Sequence, residues 1–377
     1  MRGGVSDFEG FVINVLSHHV KTTLFCLSIV VAHIWLISCA KLAPTQPPEN
    51  IDTTSHSIVW QTVTFGIGFS TIWDVSIIDD NNVWAAGEFY LNDSTGNPDP
   101  TLYNVVTWDG VKWTPQRLYF TYQGTQFIRP GVAVCAFGPD DVWLAASTPR
   151  HWDGHTLNNI DLGTVDIGQV TRFWGRSSSD FYTVGSNGKF SHFNGTSFQS
   201  IATGVQSPLV DLYGNETTIY VGSEYYGFGI RPSGIFEYDN SGFRFLFPDA
   251  SDSSNIQALR DANGVWLSPL GGLWAVGEPF VFRPLISHTP ITGINPDRYQ
   301  LLCIRGQSDS DVWVGGVGGT VLHFNGATWK QYDELKAISG GIEYHTVAVK
   351  GNLVVLGGIR YNPDQAILTI GKRNIQR

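Results

Sequence analysis

Asp311-Val-Trp-Val-Gly-Gly316, followed shortly by His323-Phe-Asn-Gly-Ala-Thr-Trp329, is the stretch on which the fold turns. The first phrase is a short run of strand-forming residues. The second places Asn-Gly between apolar flanks, the strongest short-range hairpin signal, because a tight primed turn needs positive φ. The first phrase recurs as Asn82-Val-Trp-Ala-Ala-Gly87, Asp141-Val-Trp-Leu-Ala-Ala146, Asp180-Phe-Tyr-Thr-Val-Gly185 and Thr218-Ile-Tyr-Val-Gly222. Weaker copies are Asn263-Gly-Val-Trp266 and Asn352-Leu-Val-Val-Leu-Gly357. The second phrase recurs as Trp108-Asp-Gly-Val-Lys-Trp113, His192-Phe-Asn-Gly-Thr-Ser-Phe198 and Tyr238-Asp-Asn-Ser-Gly-Phe243. Positions 84, 143, 182, 220, 266, 313 and 354 step by 59, 39, 38, 46, 47 and 41, so a unit of about 40 residues carries insertions in some copies.

Four short strands in each such unit make a propeller blade, and seven copies predict an all-β propeller of seven four-stranded blades. After Ala366-Ile-Leu-Thr-Ile370 the chain stops without an outer strand, while Ser57-Ile-Val-Trp-Gln-Thr-Val-Thr64 has no blade of its own. The N-terminal strand is therefore expected to complete the last blade and cover a bare sheet edge. Gly 42, Trp 13, Tyr 14 and Phe 22, with one Met and 15% charged residues, suit this reading and exclude a charged helical bundle. A net charge of −10 without any Lys/Arg run argues against nucleic acid as a partner. Trp84, Trp143 and Trp313 are expected in the blade cores.

These phrases resemble the secreted bacterial propellers built on D-x-W-A-V-G…H-x-D-G-x-x-W repeats, and more distantly the Asp-box propellers. The resemblance spans about residues 57–371 and implies architecture rather than activity. Asp-box sialidases carry an arginine cluster and a Tyr/Glu pair; no position here matches those motifs, so that activity is not implied.

Thr22 to Cys39 form the longest apolar stretch, preceded by Lys21 and followed by the polar Pro44-Thr45-Gln46-Pro47-Pro48. This is the pattern of a secretory signal. The closing Leu36-Ile37-Ser38-Cys39 resembles the bacterial lipobox, which implies a lipid on Cys39 and, with Ala40 next, an outer-membrane destination facing the periplasm or the outside. An uncleaved membrane anchor of the same length is the other reading. The expected layout is a signal over 1–38 (with 1–19 a possible mis-assigned start), a tether over 39–56, the propeller over 57–371 and a tail over 372–377. Cys135 and Cys303 fall on equivalent innermost strands and are expected to be buried free thiols.

The acidic residues Asp79, Asp80, Asp140, Asp141, Asp180, Asp309 and Asp311 recur at one turn, where Asp caps its own backbone. His151, His192 and His323 recur as well, as packing residues. No metal-ligand spacing, phosphate loop or cofactor motif is present, and Asp93-Ser-Thr-Gly-Asn-Pro-Asp99 lacks the bidentate Glu a calcium loop uses. Departures from the repeat are more informative. Three insertions, Glu88 to Tyr103, Glu224 to Arg231 and Gly358 to Pro363, are expected on one face, beside the turns that carry Trp73, Tyr299, Tyr344 and His345. Trp73, Glu88, Tyr90, Tyr225, Tyr226, Arg231, Tyr344, His345, Arg360 and Tyr361 are the candidate ligand residues, since Tyr, Trp and Arg dominate binding hot spots. The expected function is non-catalytic binding of a glycan, peptide or partner protein. A carbohydrate-active enzyme using Glu88 is the alternative, and aromatics that merely pin long loops to the disc are the third reading.

Overall fold

The computed structural model describes residues 53–374 apart from 225–233, 248–260, 278–279, 284, 286, 296 and 337–340. The apolar N-terminal stretch and Cys39 lie outside the described residues. Among the described residues, seven four-stranded antiparallel sheets and one two-stranded hairpin make up the fold. In chain order, blade 1 spans 71–116, blade 2 133–159, blade 3 170–201, blade 4 209–247, blade 5 264–291 and blade 6 301–331. Blade 7 takes three strands from 342–373 and its outermost strand from Ile58–Phe65.

The second strands have apolar residues on both faces because each blade is sandwiched between two neighbours. Asp311–Gly316 is buried throughout its length, and Leu353–Arg360 is buried except for its half-buried last residue. Trp84, Trp143 and Trp313 sit there as expected, all in the core. The phrase in blade 5 was misplaced. Trp266 lies on the innermost strand (Gly264–Leu267), and the second strand is Leu273–Gly277, so Trp274 is the true counterpart of Trp313. The long first step also has a second source, a hairpin of Phe120–Tyr122 and Thr125–Phe127 between blades 1 and 2 that the repeat did not foreshadow.

The repeated Asp and His residues work together rather than separately. His151 Nε2 meets Asp141 at 2.8 Å, His192 Nε2 meets Asp180 at 2.7 Å, and His323 Nε2 meets Asp311 at 3.0 Å. Each imidazole also packs on the aromatic ring of the second strand, most closely His323 on Trp313, whose ring centroids are 4.0 Å apart. Backbone capping, expected of all these aspartates, holds for Asp79, which accepts from the N–H of Asn81. For Asp141, Asp180 and Asp311 the cross-strand imidazole takes that place. Cys135 and Cys303 are both free, Cys303 buried and Cys135 only partly so. Desolvation pushes both thiols up to about 12, so neither is a nucleophile at neutral pH.

The N-terminal strand closes the ring in continuous register, from Ile58 opposite Arg373 to Phe65 opposite Ala366. Its side chains serve two interfaces. Ile58 and Trp60 pack into the core shared with blade 6, and Val63 and Phe65 into the core shared with blade 1. Just before it, a strap reaches onto blade 6. Thr54 Oγ1 donates to the Ser310 carbonyl at 2.5 Å, Tyr332 Oη donates to the His56 carbonyl at 3.1 Å, and His56 Nδ1 lies 2.9 Å from His323 Nδ1. Because His323 Nε2–H serves Asp311, its Nδ1 accepts, and His56 Nδ1–H is the donor.

That contact requires an uncharged His323 Nδ1 and makes the strap acid-sensitive. Burial, then His323 and Lys330, hold the His56 imidazole down at about 4 against an ordinary 6.5. Burial likewise lowers His323 although Asp311 opposes it. The unfolded chain therefore takes up protons between pH 6.5 and about 4 that the folded chain refuses. Stability from this contact is complete above that window and lost as pH falls through it. The Asp311 carboxyl, desolvated but lowered by His323 and Arg373, adds a loss in the same direction at lower pH. The melting temperature is expected to fall from pH 7 to pH 4, and less steeply in His56→Gln. Equal slopes for the two proteins would remove His56 from this account.

Candidate functional site: the mouth of the central channel

The seven innermost strands converge on one channel, and a β-bulge at the start of five of them decides what faces its mouth. Between Ile72 and Asp74 the register of blade 1 slips by one residue, leaving Trp73 without a ladder partner. The same slip frees Thr171, Val210, Leu302 and His345 in blades 3, 4, 6 and 7. In blades 2 and 5, Val132 and Asn263 donate their N–H to the carbonyls of Ala145 and Val276, the residues that pair with Ala133 and Gly264. Two residues thus oppose one in blades 1, 3, 4, 6 and 7, where the bulge re-aims a side chain, and in blades 2 and 5 the residue just before the strand takes the equivalent place. The glycine that ends the repeated phrase belongs to this device. A Cβ on Gly87 would lie 2.3 Å from the carbonyl oxygen of Thr71, and one on Gly316 2.3 Å from that of Gln300.

Trp73, Val132, Thr171, Val210, Asn263, Leu302 and His345, together with Arg172 and Glu224, line a cavity of about 270 Å³. Every blade contributes to it. Trp73 stacks on His345 across the joint of blades 1 and 7, with ring centroids 4.9 Å apart and planes 13° from parallel. His345 Nε2 is 3.6 Å from Glu343, whose carboxyl is held below its ordinary value by His345 and by the hydroxyl of Tyr361. Burial and that carboxylate push the Tyr361 phenol up to about 12. An aromatic and acidic chain thus runs from the channel mouth to the rim.

Under the mouth the channel is closed by charge. Arg172 of blade 3 pairs with Asp74 of blade 1, and its Nε lies 3.6 Å from Asp211 of blade 4. Arg305 of blade 6 grips Asp211 with both terminal nitrogens, at 2.6 and 2.8 Å. Asp211 also accepts from the backbone N–H of Val265, and Asp74 from that of Val134 and from Thr346 Oγ1. Burial would lower the Arg305 pKa, but Asp211 outweighs it and raises it, so the guanidinium stays charged. The Arg172–Asp74 pair joins blades 3 and 1 and the Arg305–Asp211 pair blades 6 and 4, non-adjacent blades that can meet only across the channel, so the mouth is a dish with a charged floor.

Trp73 and His345 are therefore brought together, and Tyr361 joins them through Glu343. Tyr344 is a correction to the sequence reading. It is fully buried in the core between blades 6 and 7, its hydroxyl 2.8 Å from Thr369 Oγ1, because the bulge turns His345 rather than its neighbour toward the mouth. Glu88 and Tyr90 bond to each other at 2.8 Å and do not line the cavity. Arg360 reaches Gln365 across its own hairpin. Tyr225, Tyr226 and Arg231 lie outside the described residues. Asp93 and Asp99 are occupied by Thr95 and Arg117. The mouth residues Val132, Thr171, Arg172, Val210, Glu224, Asn263 and Leu302 were not foreseen.

No family model matches this sequence, and no curated protein matches it. Solved structures do resemble the fold. YCF48 bound to D1 peptide superposes with a TM-score of 0.60 at 15% identity, covering 84% of this chain and 96% of that one. YCF48 from Cyanidioschyzon merolae gives 0.56 at 16% identity, covering 82% and 98%. U3-55K gives 0.56 at 10% identity, covering 85% and 100%. At such identities the likeness is one of fold: this chain is a seven-bladed β-propeller.

Proposed function

We propose that this chain is a lipid-anchored envelope protein whose propeller is a non-catalytic scaffold, holding a peptide or protein segment over the channel mouth. The observation that carries the reading is what lines the dish: bulges in five blades free one side chain each from ladder duty, the other two blades add Val132 and Asn263 from just before their inner strands, and all seven meet there. Side chains so placed can be chosen for a ligand without disturbing the blades. A stacked Trp73–His345 pair at the edge of that dish is the kind of aromatic anchor on which binding energy concentrates. YCF48, similar in fold, is known in a complex with the D1 peptide, which makes a peptide ligand a natural choice for this one. The anchor is the lipid on Cys39, and the outer membrane is the place.

The test is selection of binders from a random peptide display library, using the folded domain as bait. Trp73→Ala and His345→Ala should each weaken the selected peptides roughly tenfold, as loss of a hot-spot side chain does, with the melting temperature nearly unchanged. Val111→Ala, on an exposed turn of the opposite face, should change nothing. Binders indifferent to Trp73 and His345 would overturn the assignment. Palmitate labelling lost in Cys39→Ser checks the anchor, and equal labelling of both proteins would refute it.

A further inference from the structure

The dish offers unequal hydrogen-bonding chemistry. Most of its donors are already engaged by the protein, the buried Arg172 Nε excepted. Thr171 Oγ1 lies 2.6 Å from the Leu209 carbonyl and 3.1 Å from that of Val184, and Asn263 Nδ2 donates to the Leu301 carbonyl at 2.8 Å. Arg172 is held by Asp74 and Asp211. His345 is held between the Ile72 carbonyl at 3.3 Å and Glu343 at 3.6 Å. The wall is otherwise Val132, Val210, Leu302 and the Trp73 indole, with the Glu224 carboxylate at one side. The paired charges of the floor balance, Asp74 and Asp211 against Arg172 and Arg305, so Glu224 leaves the dish with a negative surplus.

We infer that the channel mouth selects one basic side chain, lysine or arginine, of a bound peptide. Lysine and arginine are pure donors with no acceptor, which suits a wall whose donors are largely engaged and which carries the Glu224 carboxylate. Their apolar stems match the three aliphatic residues. Their charge finds the Glu224 carboxylate and the face of an indole, a favourable place for a cation. A sugar fits less well, because its hydroxyls call for donors and acceptors in like number. Burial, then nearby Asp261, raises the Glu224 pKa, so an incoming cation would gain from relieving that carboxylate. The cavity of about 270 Å³ takes a single long side chain and not a folded partner.

This inference rests on the mouth being a peptide site, and the peptides selected above separate the two claims. A double-mutant cycle crosses Lys→norleucine in a selected, end-capped peptide with Glu224→Gln in the protein. Norleucine should weaken binding to the native protein roughly tenfold or more, and to Glu224→Gln by less than about twofold, with both proteins melting alike. Selected peptides without enrichment of Lys or Arg, yet sensitive to Trp73→Ala, would overturn the inference and leave the peptide site standing. An unchanged norleucine effect in Glu224→Gln would also overturn it. Peptides insensitive to Trp73→Ala would remove the site and the inference together.

Discussion

A chain shortened to begin after Phe65 is expected to lose about 5 kcal/mol or more of stability, whereas one beginning at residue 53 keeps the stability of the intact domain. The N-terminal strand supplies Ile58, Trp60, Val63 and Phe65 to two interfaces, each partly buried. Full burial of such side chains contributes roughly 1.5–3 kcal/mol apiece, and about half of that applies here. Loss of the strand also bares the edge of Gln365–Arg373, with its unpaired backbone groups. A domain stable by about 5–15 kcal/mol in total has little left after such a loss. Urea unfolding of the two truncations measures the difference. Closely matched midpoints would mean that the ring does not depend on this closure.

Asp211→Ala is expected to cost about 3–5 kcal/mol, as removing one partner of a buried ion pair does. Asp211 is 2% exposed, and it is the shared acceptor of Arg305 and Arg172. Without it two guanidinium groups remain in the channel with only Asp74 opposite, and the N–H of Val265 loses its acceptor. Asp211→Asn keeps the shape and one acceptor oxygen and should cost less. Replacing Asp211 and Arg305 together by leucine should recover part of the loss, because no unpaired charge is then stranded. Chemical denaturation of the three variants gives the ranking. A double variant worse than Asp211→Ala would show that the network contributes beyond neutralising charge.

Much of the architecture was legible because a blade repeats. The Asn-Gly and Asp-Gly turns and the Trp-centred phrase each have a local cause, and local causes can be read along a chain. Blade 5 misled because its innermost strand carries a tryptophan of its own at 266, while the second-strand phrase around Trp274 follows two glycines instead of an Asp or Asn. The site was harder. Trp73 and His345 stood out as bulky residues, but Thr171, Val210 and Leu302 are ordinary in composition. Only the register between two strands shows that they bulge. A trace exists in the break of alternation at Ile72-Trp-Asp-Val75, Val170-Thr-Arg-Phe173 and Leu209-Val-Asp-Leu212, where a charged residue follows the bulged one. The floor could not be read at all, since Asp74, Arg172, Asp211 and Arg305 meet only when the ring is shut.

Closure by the first strand also sets an order of events in folding. Thr62 and Thr369, whose hydroxyls meet at 3.0 Å, are 307 residues apart in the chain. At about 5–20 residues per second, roughly 15–60 s pass between the emergence of one and of the other. For that interval the first strand to be made has no partner, and blade 6 has nothing on the flank where Trp60 will lie. Blades 1 to 6 can pair their own strands without it, yet the molecule carries a loose apolar ribbon until Gln365–Arg373 is in place. The ring therefore cannot close until residues 365–373 are in place to receive the first strand.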